Sequence, residues 1–280
     1  MVHNEGTFTT PDSLTIYHQS WLPDGESKAL VLLLHGLAEH SGRFTHVAQA
    51  LTDAGYAVHA LDHRGHGKSD GKRTYVKSYD QYQADILQFR TMVEQQHPGL
   101  PLFVLGHSMG GNLALGHVLD HQAGVRGMVL SAPALAPGTS LSPSKIKLAK
   151  LVGKIAPGLR PEALSSDAIS RDPAVVAAYV ADPLVFNGKI TAGAAAALLN
   201  SMETFPRRYA ELRLPILLQH GTADALVDIA GTRALENGAV NATVTSHYYD
   251  GLYHEIFNEP EQAAVLADTV GWLDSVMAGG

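Results

Sequence analysis

Residues 102–114 read Leu-Phe-Val-Leu-Gly-His-Ser-Met-Gly-Gly-Asn-Leu-Ala. An apolar run typical of a buried strand breaks at Gly106, a single Ser follows, and two further glycines lead into residues that favour a helix. The pattern predicts a strand, a sharp turn and a helix, with the hydroxyl of Ser108 held above the end of the strand. Gly106 and Gly110 leave room for this strained turn because neither carries a Cβ atom.

Ser108 is a candidate nucleophile. The pattern Gly-x-Ser-x-Gly is weak evidence alone, since a chain of this length matches it by chance about once in ten. The predicted strand before Ser108 and the helix after it make this instance more specific. At such a turn the backbone N–H of Met109 points to the place where the oxygen of an attacked carbonyl becomes an anion.

Strands and helices alternate on both sides of this turn. The predicted elements are a strand at 29–34, a helix from about 43 to 54, a strand at 56–61, a helix at 80–96, a helix at 110–122 and a strand at 127–133. With right-handed crossovers this order gives a parallel sheet covered by helices on both faces. Segments 7–9 and 14–21 alternate in hydropathy and predict an edge hairpin.

The alternation breaks between about residues 137 and 212, where the sequence predicts helices and no convincing strand. Strands resume at 215–221 and 244–249, and a helix over 261–277 closes the chain. The predicted fold class is α/β, a mostly parallel eight-stranded sheet flanked by helices. Residues 1–136 and 213–280 form its core, and residues 137–212 form an inserted helical cap over the carboxyl edge of the sheet, where open α/β sheets bind ligands.

A serine nucleophile needs a base to take its proton and an acid to orient that base. In this topology the expected chain order is Ser, then Asp or Glu, then His, each after a later strand. Strand 215–221 runs into Asp224, and strand 244–249 runs into His254. The sequence therefore predicts a triad, with Asp228 and Asp250 as alternative candidates for the acid.

The strand at 29–34 ends in His35-Gly36, which places backbone N–H groups, notably that of Leu37, at the same edge. The motifs His-Gly-Leu-Ala-Glu-His-Ser-Gly-Arg at 35–43, Asp-His-Arg-Gly-His-Gly-Lys-Ser-Asp-Gly at 62–71 and Gly-His-Ser-Met-Gly-Gly at 106–111 resemble the monoacylglycerol lipase branch of the α/β-hydrolases. Gly-Thr-Ala-Asp at 221–224 and Tyr-His-Glu at 253–255 continue the resemblance, and the cap is similar to bacterial, particularly actinobacterial, members.

The resemblance implies Ser108, Asp224 and His254 as the triad and the N–H groups of Leu37 and Met109 as the oxyanion hole. It implies a serine hydrolase that cleaves monoacylglycerols to glycerol and fatty acid through an acyl-enzyme. A broad carboxylesterase and a lysophospholipase are alternatives within the same chemistry. An inactive, ligand-binding homologue is an alternative of another class.

Several further polar residues have two interpretations. Glu39 and Arg43 are four apart at a predicted helix start, so they form an ion pair, or one of them touches the glycerol end of the substrate. We expect Asp62, Arg64 and His66 to anchor their loop and His107 to be structural.

In the cap, lysines alternate with apolar residues over 145–155. The apolar face of this predicted helix packs on the protein itself or lies against a lipid surface.

Composition limits the other classes of function. The net charge is −7 with no Lys/Arg block, which argues against a nucleic-acid partner, and no sequence feature indicates an obligate protein partner. There is no Cys, and the 15 His match no metal motif, so we expect no metal and no cofactor. The N-terminus lacks a signal-peptide pattern, so we expect a cytoplasmic protein, with peripheral membrane attachment left open.

Overall fold

The computed structural model describes residues 1–138, 142–163 and 166–279. The strands, in chain order, are β1 (Val2–Thr9), β2 (Thr15–Leu22), β3 (Ala29–Leu34), β4 (Tyr56–Leu61), β5 (Leu102–His107), β6 (Val125–Ser131), β7 (Glu162–Ala163), β8 (Lys189–Ile190), β9 (Ile216–Gly221) and β10 (Val244–Tyr249). The α-helices are α1 (Thr45–Asp53), α2 (Tyr79–Gln96), α3 (Met109–Asp120), α4 (Pro143–Ile155), α5 (Pro173–Ala181), α6 (Ala192–Thr204), α7 (Ile229–Gly238) and α8 (Gln262–Ala278). Among these described residues, no helix is long and apolar enough to cross a membrane.

Eight of the strands form one sheet in the order β1-β2-β4-β3-β5-β6-β9-β10. The β1–β2 and β2–β4 pairs are antiparallel, and all other neighbours are parallel. The predicted α/β class, with an eight-stranded, mostly parallel sheet flanked by helices and further helices between β6 and β9, is confirmed.

Alternate residues of β3 pack into two different cores, because successive side chains of a strand point to opposite faces. Leu30, Leu32 and Leu34 face α2 and α3, whereas Val31 and Leu33 face α1 and α8. All of these side chains are buried. Burying each of these side chains stabilises the fold by about 1.5–3 kcal/mol. Their burial on both faces therefore fixes the position of β3 in the sheet, including that of its carboxyl end.

The observed strands agree closely with the predicted ones. The strands predicted at 29–34, 56–61 and 244–249 have those bounds. The first strand is longer than predicted: it begins at Val2, because residues 2–6 pair with 18–22 of β2 through backbone groups even though their side chains are mostly polar. The insertion also contains a short antiparallel pair, β7 and β8, that the sequence did not indicate.

The described residues between β6 and β9 are hydrogen-bonded to the loops that follow β3 and β10. The N–H of Phe186 donates to the carbonyl of Ala38 at 2.8 Å. The N–H of Glu255 donates to the carbonyl of Ile169 at 2.7 Å. Within the insertion, α4 packs closely on α6 at Gly153, where a Cβ atom would lie 2.3 Å from the Cβ of Ala196. The boundaries 137 and 212 of the cap stay a prediction.

Candidate active site

Ser108 lies at the turn between β5 and α3, in a backbone conformation that residues other than glycine rarely adopt. Its φ is 54° and its ψ is −118°. A Cβ atom at Gly106 would lie 2.3 Å from the carbonyl oxygen of Gly110, and one at Gly110 would lie 2.0 Å from that of Leu34. Both positions therefore require glycine, and the strain they permit holds the Ser108 hydroxyl above the strand.

The structure brings the three predicted triad residues together from three strand ends. His254 Nε2 lies 2.8 Å from the Oγ of Ser108, and His254 Nδ1 lies 2.7 Å from Oδ2 of Asp224. The other oxygen of Asp224 accepts the N–H groups of Leu226 at 2.8 Å and Val227 at 3.0 Å. The carboxylate is fully buried and His254 nearly so. This geometry allows proton transfer from Ser108 to His254.

Asp224 and His254 shift each other's ionisation in opposite directions. Burial opposes ionisation of Asp224, but the charge and hydrogen bonds of the histidines beside it outweigh burial, and its pKa lies well below the ordinary value. Burial also opposes the charged form of His254, but the Asp224 carboxylate outweighs it, so the pKa of His254 is raised. Asp224 is therefore an acceptor at neutral pH, and His254 is a stronger base than a free imidazole.

The two backbone N–H groups that the resemblance implies as the oxyanion hole belong to different elements. Leu37 lies in the loop that follows β3. In this loop the N–H of Gly36 donates to Oε1 of Glu39 at 2.6 Å. Ala38, next in this loop, has φ +68°. Met109 begins α3, where helix N–H groups lack intrahelical acceptors. In the part of the chain that the structure describes, neither the Leu37 nor the Met109 N–H is paired with a protein acceptor.

Glu39 and Arg43 form the ion pair that their spacing predicts, and a third residue joins them. Arg43 donates to Glu39 and, through two nitrogens at 2.7 Å each, to both carboxylate oxygens of Glu255. The guanidinium also lies 4.6 Å from the ring centre of Tyr179 in α5. Burial, followed by the charge of Glu255, raises the pKa of Glu39, although the charge of Arg43 opposes this shift. At Glu255, the hydrogen bonds and charge of Arg43 outweigh burial, so the pKa of Glu255 is lowered. Sequence reasoning missed Glu255, although it directly follows His254.

The two alternative acids lie elsewhere. Asp228 accepts the N–H of Ala230 at 2.9 Å and caps α7. Asp250 accepts the hydroxyl of Thr222 at 3.2 Å in an exposed turn. Neither carboxylate hydrogen-bonds to His254, so the geometry favours Asp224.

The polar loop after β4 is anchored as expected. Asp62 accepts the backbone N–H groups of Ser41 and Lys68, both at 2.8 Å, and Arg64 forms a buried ion pair with Asp85. His107 hydrogen-bonds to the hydroxyl of Ser131 at 3.0 Å, and its ring centre lies 4.9 Å from that of His254. Burial and then His254 lower the pKa of His107 to about 3, so it is neutral.

His35, His63 and His66 form a histidine cluster behind the loop that carries Leu37. The ring centres of His35 and His63 are 4.4 Å apart, and those of His35 and His66 are 5.4 Å apart. His35 Nε2 accepts the N–H of His63 at 2.9 Å. Over the described residues, no group of three His, Cys, Asp or Glu side chains is arranged to hold a metal ion.

Comparison with known proteins gives relatives along nearly the whole chain. Residues 25–261 match the family described as serine aminopeptidase, S33. The monoacylglycerol lipase of Mycolicibacterium smegmatis is 44% identical over 275 residues, which cover 97% of each chain. The monoglyceride lipase of Homo sapiens is 34% identical over 249 residues, covering 89% of this chain and 82% of the human one. The crystal structure of Paleococcus ferrophilus monoacylglycerol lipase has a TM-score of 0.81 at 31% identity, covering 99% of this chain and all of that one.

Proposed function

This chain belongs to the serine aminopeptidase S33 family of α/β-hydrolases, in its monoacylglycerol lipase branch, and we propose that it hydrolyses monoacylglycerols to glycerol and free fatty acid. The observation that carries the proposal is the hydrogen-bonded line from Ser108 through His254 to Asp224, in a chain 44% identical to a monoacylglycerol lipase. Ser108, His254 and Asp224 are the proposed catalytic residues.

In the proposed first step, Ser108 Oγ attacks the carbonyl carbon of the acyl ester while its proton passes to His254 Nε2. The carbonyl oxygen becomes an anion and accepts the N–H groups of Leu37 and Met109. Asp224 holds the Nδ1–H of His254, which fixes the tautomer and stabilises the imidazolium. The ester C–O bond then breaks, and the glycerol oxygen takes the proton from His254 as it leaves.

The second step releases the fatty acid. A water molecule gives a proton to His254 Nε2 and attacks the acyl carbon, and the same two N–H groups accept the oxyanion. The bond from the acyl carbon to Ser108 Oγ breaks, and the proton returns from His254 to the serine. No cofactor takes part in either step of this proposal.

The segment 137–212 is the proposed lid of the site. Its contacts with the loops of Ala38 and Glu255 support this role, because they lie beside the proposed oxyanion hole and the proposed base. Substrate contact by Glu39 and Arg43 also remains a proposal. Their side chains are buried in the ion pairs with Glu255, so any contact with glycerol has to be made without breaking that network.

The cap also carries a surface that suits a lipid interface. Leu148, Leu151 and Ile155 are 60%, 53% and 73% exposed, because α4 packs on α6 through the side that bears Gly153. Lysines flank them in the same helix, and Leu159 extends the apolar patch. We define these four residues as the α4 patch. An exposed apolar face with basic neighbours is typical of contact with a lipid surface. This contact and the cytoplasmic location are proposals.

The test compares initial rates on mono-, di- and triacylglycerol and on lysophosphatidylcholine with one acyl chain, using Ser108→Ala as the blank. We expect hydrolysis largely confined to monoacylglycerol, and kcat in the blank lower by about 10⁶-fold. Comparable rates on lysophospholipid or simple esters would instead indicate a lysophospholipase or a broad carboxylesterase. Failure of Ser108 to react with a fluorophosphonate would indicate an inactive binding homologue and would contradict the mechanism.

A further inference from the structure

Asp224 has a second histidine partner that the mechanism does not use. His220, near the end of β9, is fully buried, and its Nε2 lies 3.0 Å from Oδ2 of Asp224. This is the oxygen that His254 contacts at 2.7 Å. The other ring nitrogen of His220, Nδ1, lies 2.7 Å from the hydroxyl oxygen of Thr232 in α7. Apart from a His four residues before the acid, no sequence pattern indicates this contact.

The partners of His220 determine where its proton lies. Asp224 is ionised at neutral pH and can only accept hydrogen bonds, so the Nε2 of His220 must donate. The hydroxyl oxygen of Thr232 lies within hydrogen-bond distance of Nδ1, so both ring nitrogens of His220 have a partner. The carboxylate then receives four donors, two from histidine rings and two from the backbone of Leu226 and Val227.

We infer that His220 is a positioning residue for the proposed hydrolysis: its Nε2–H shares Oδ2 with His254, which orients the carboxylate and limits how strongly Asp224 holds the His254 proton. The inference rests on the proposed roles of Asp224 and His254. Without this donor, the charge on Oδ2 acts on His254 alone and stabilises the imidazolium further. The carboxylate, which is fully buried, also loses a charge-assisted hydrogen bond.

His254 is faced by other titratable groups, and the variants must leave them in place. The ring of His107 packs against it from β5. Glu255 and Glu39, with Arg43 between them, face it from its own loop and from the loop after β3. None of these groups hydrogen-bonds to His220, so substitutions at His220 change one contact of Asp224 only.

The experiment compares His220→Leu with His220→Gln by measuring kcat/KM for monoacylglycerol against pH. Rates are normalised to the concentration of sites that react with a fluorophosphonate. We expect His220→Leu to move the acidic limb of the profile to higher pH and to lower kcat/KM at neutral pH about tenfold, the size expected for one charge-assisted hydrogen bond. His220→Gln, whose amide N–H can replace Nε2–H, should restore both towards the wild type.

His59→Leu is the matched control, because His59 is also buried on a sheet strand, with its ring against His97. His59→Leu should leave the acidic limb of the profile unmoved. An unmoved limb in His220→Leu, or equal behaviour of the Leu and Gln variants, overturns the inference. If His220→Leu does not fold, Thr232→Val is measured in its place, because it removes the hydroxyl that contacts Nδ1 of His220. A shift of the acidic limb to higher pH supports the inference. An unmoved limb overturns it. Failure of the wild type to hydrolyse monoacylglycerol would instead overturn the proposed function itself, which keeps the two failures apart.

Discussion

His254 and the histidine cluster of His35, His63 and His66 are both buried at the carboxyl edge of the sheet, but only His254 hydrogen-bonds to a carboxylate. Burial opposes the imidazolium in both places. At His254 the Asp224 charge outweighs burial and raises the pKa, whereas burial, followed by His66, lowers the pKa of His63 to about 3. The Asp224 carboxylate thus separates a strong base, His254, from buried histidines that stay neutral.

Asp224→Asn removes that carboxylate and should lower the rate of hydrolysis strongly. We expect kcat to fall by about 10⁴-fold, because the amide presents N–H groups to His254 and favours the wrong tautomer. The control is Asp228→Asn, which keeps a side-chain oxygen to cap α7 and should leave the rate nearly unchanged. Rates on monoacylglycerol measure both. Similar losses in the two variants would contradict the assignment of Asp224.

Arg43→Met tests the other buried charges beside His254. Without the guanidinium, Glu39 and Glu255 are left buried without their cation, and the free energy of unfolding should fall by about 3–5 kcal/mol. Arg208→Met is the control, because Arg208 pairs with Asp120 and Glu211 at the surface. Such a pair contributes about 1 kcal/mol or less. Urea unfolding measures both, and equal losses would argue against a buried network.

His63→Leu addresses the cluster through the pH dependence of stability. Because the folded-state pKa of His63 lies below 6.5, the unfolded state binds the extra proton between pH 6.5 and about 3. Folding stability is therefore full above pH 6.5 and falls as the pH is lowered through this range. His63 accounts for about 1.4 kcal/mol per pH unit of that fall. In the described residues neither of its ring nitrogens has a hydrogen-bond partner, so leucine loses none.

Unfolding of His63→Leu between pH 6.5 and 4.5 should thus depend less on pH than that of the wild type. His254→Gln should change the slope of the free energy of unfolding against pH in the opposite sense, and it should do so in a higher pH range. The raised pKa of His254 gives stability that is complete below pH 6.5 and is lost as the pH rises through the folded-state value. Changes of the same sign in both variants would contradict the comparison.

Ile155→Ser should have the smallest effect and concerns the α4 patch. Ile155 is 73% exposed, and Val240, on another surface, is 72% exposed, so Val240→Ser is a matched control. We expect Ile155→Ser to weaken binding to anionic lipid vesicles several-fold through lost apolar burial, and Val240→Ser to leave it unchanged. Co-sedimentation with vesicles measures this. Equal binding by both variants would argue against the patch as the contact.

The sequence predicted the sheet and the triad because both depend on local patterns. Continuous apolar runs mark buried strands, and catalytic residues follow the ends of strands. The N-terminal part of β1 was missed because its strand character comes from pairing with β2 and not from its own hydropathy.

Other features depend on contacts between distant parts of the chain and could not be predicted. The spacing of Glu39 and Arg43 indicated their ion pair, but nothing local showed that Arg43 also reaches Glu255, more than two hundred residues later. The periodicity of α4 indicated an apolar face, but it did not indicate whether this face is turned towards the protein or towards solvent. The close approach at Gly153 decides this, because it turns the opposite side of the helix towards α6.

A comparison of two neighbouring buried histidines tests directly whether His254 is the base of the reaction. His254 and His107 have ring centres 4.9 Å apart, yet only His254 contacts both Ser108 and Asp224. Monoacylglycerol hydrolysis is measured in His254→Gln and His107→Gln. We expect a loss of about 10⁶-fold in His254→Gln and a rate within about tenfold of the wild type in His107→Gln. Near-normal turnover by His254→Gln, or an equal loss in both variants, would contradict the assignment of His254 as the base.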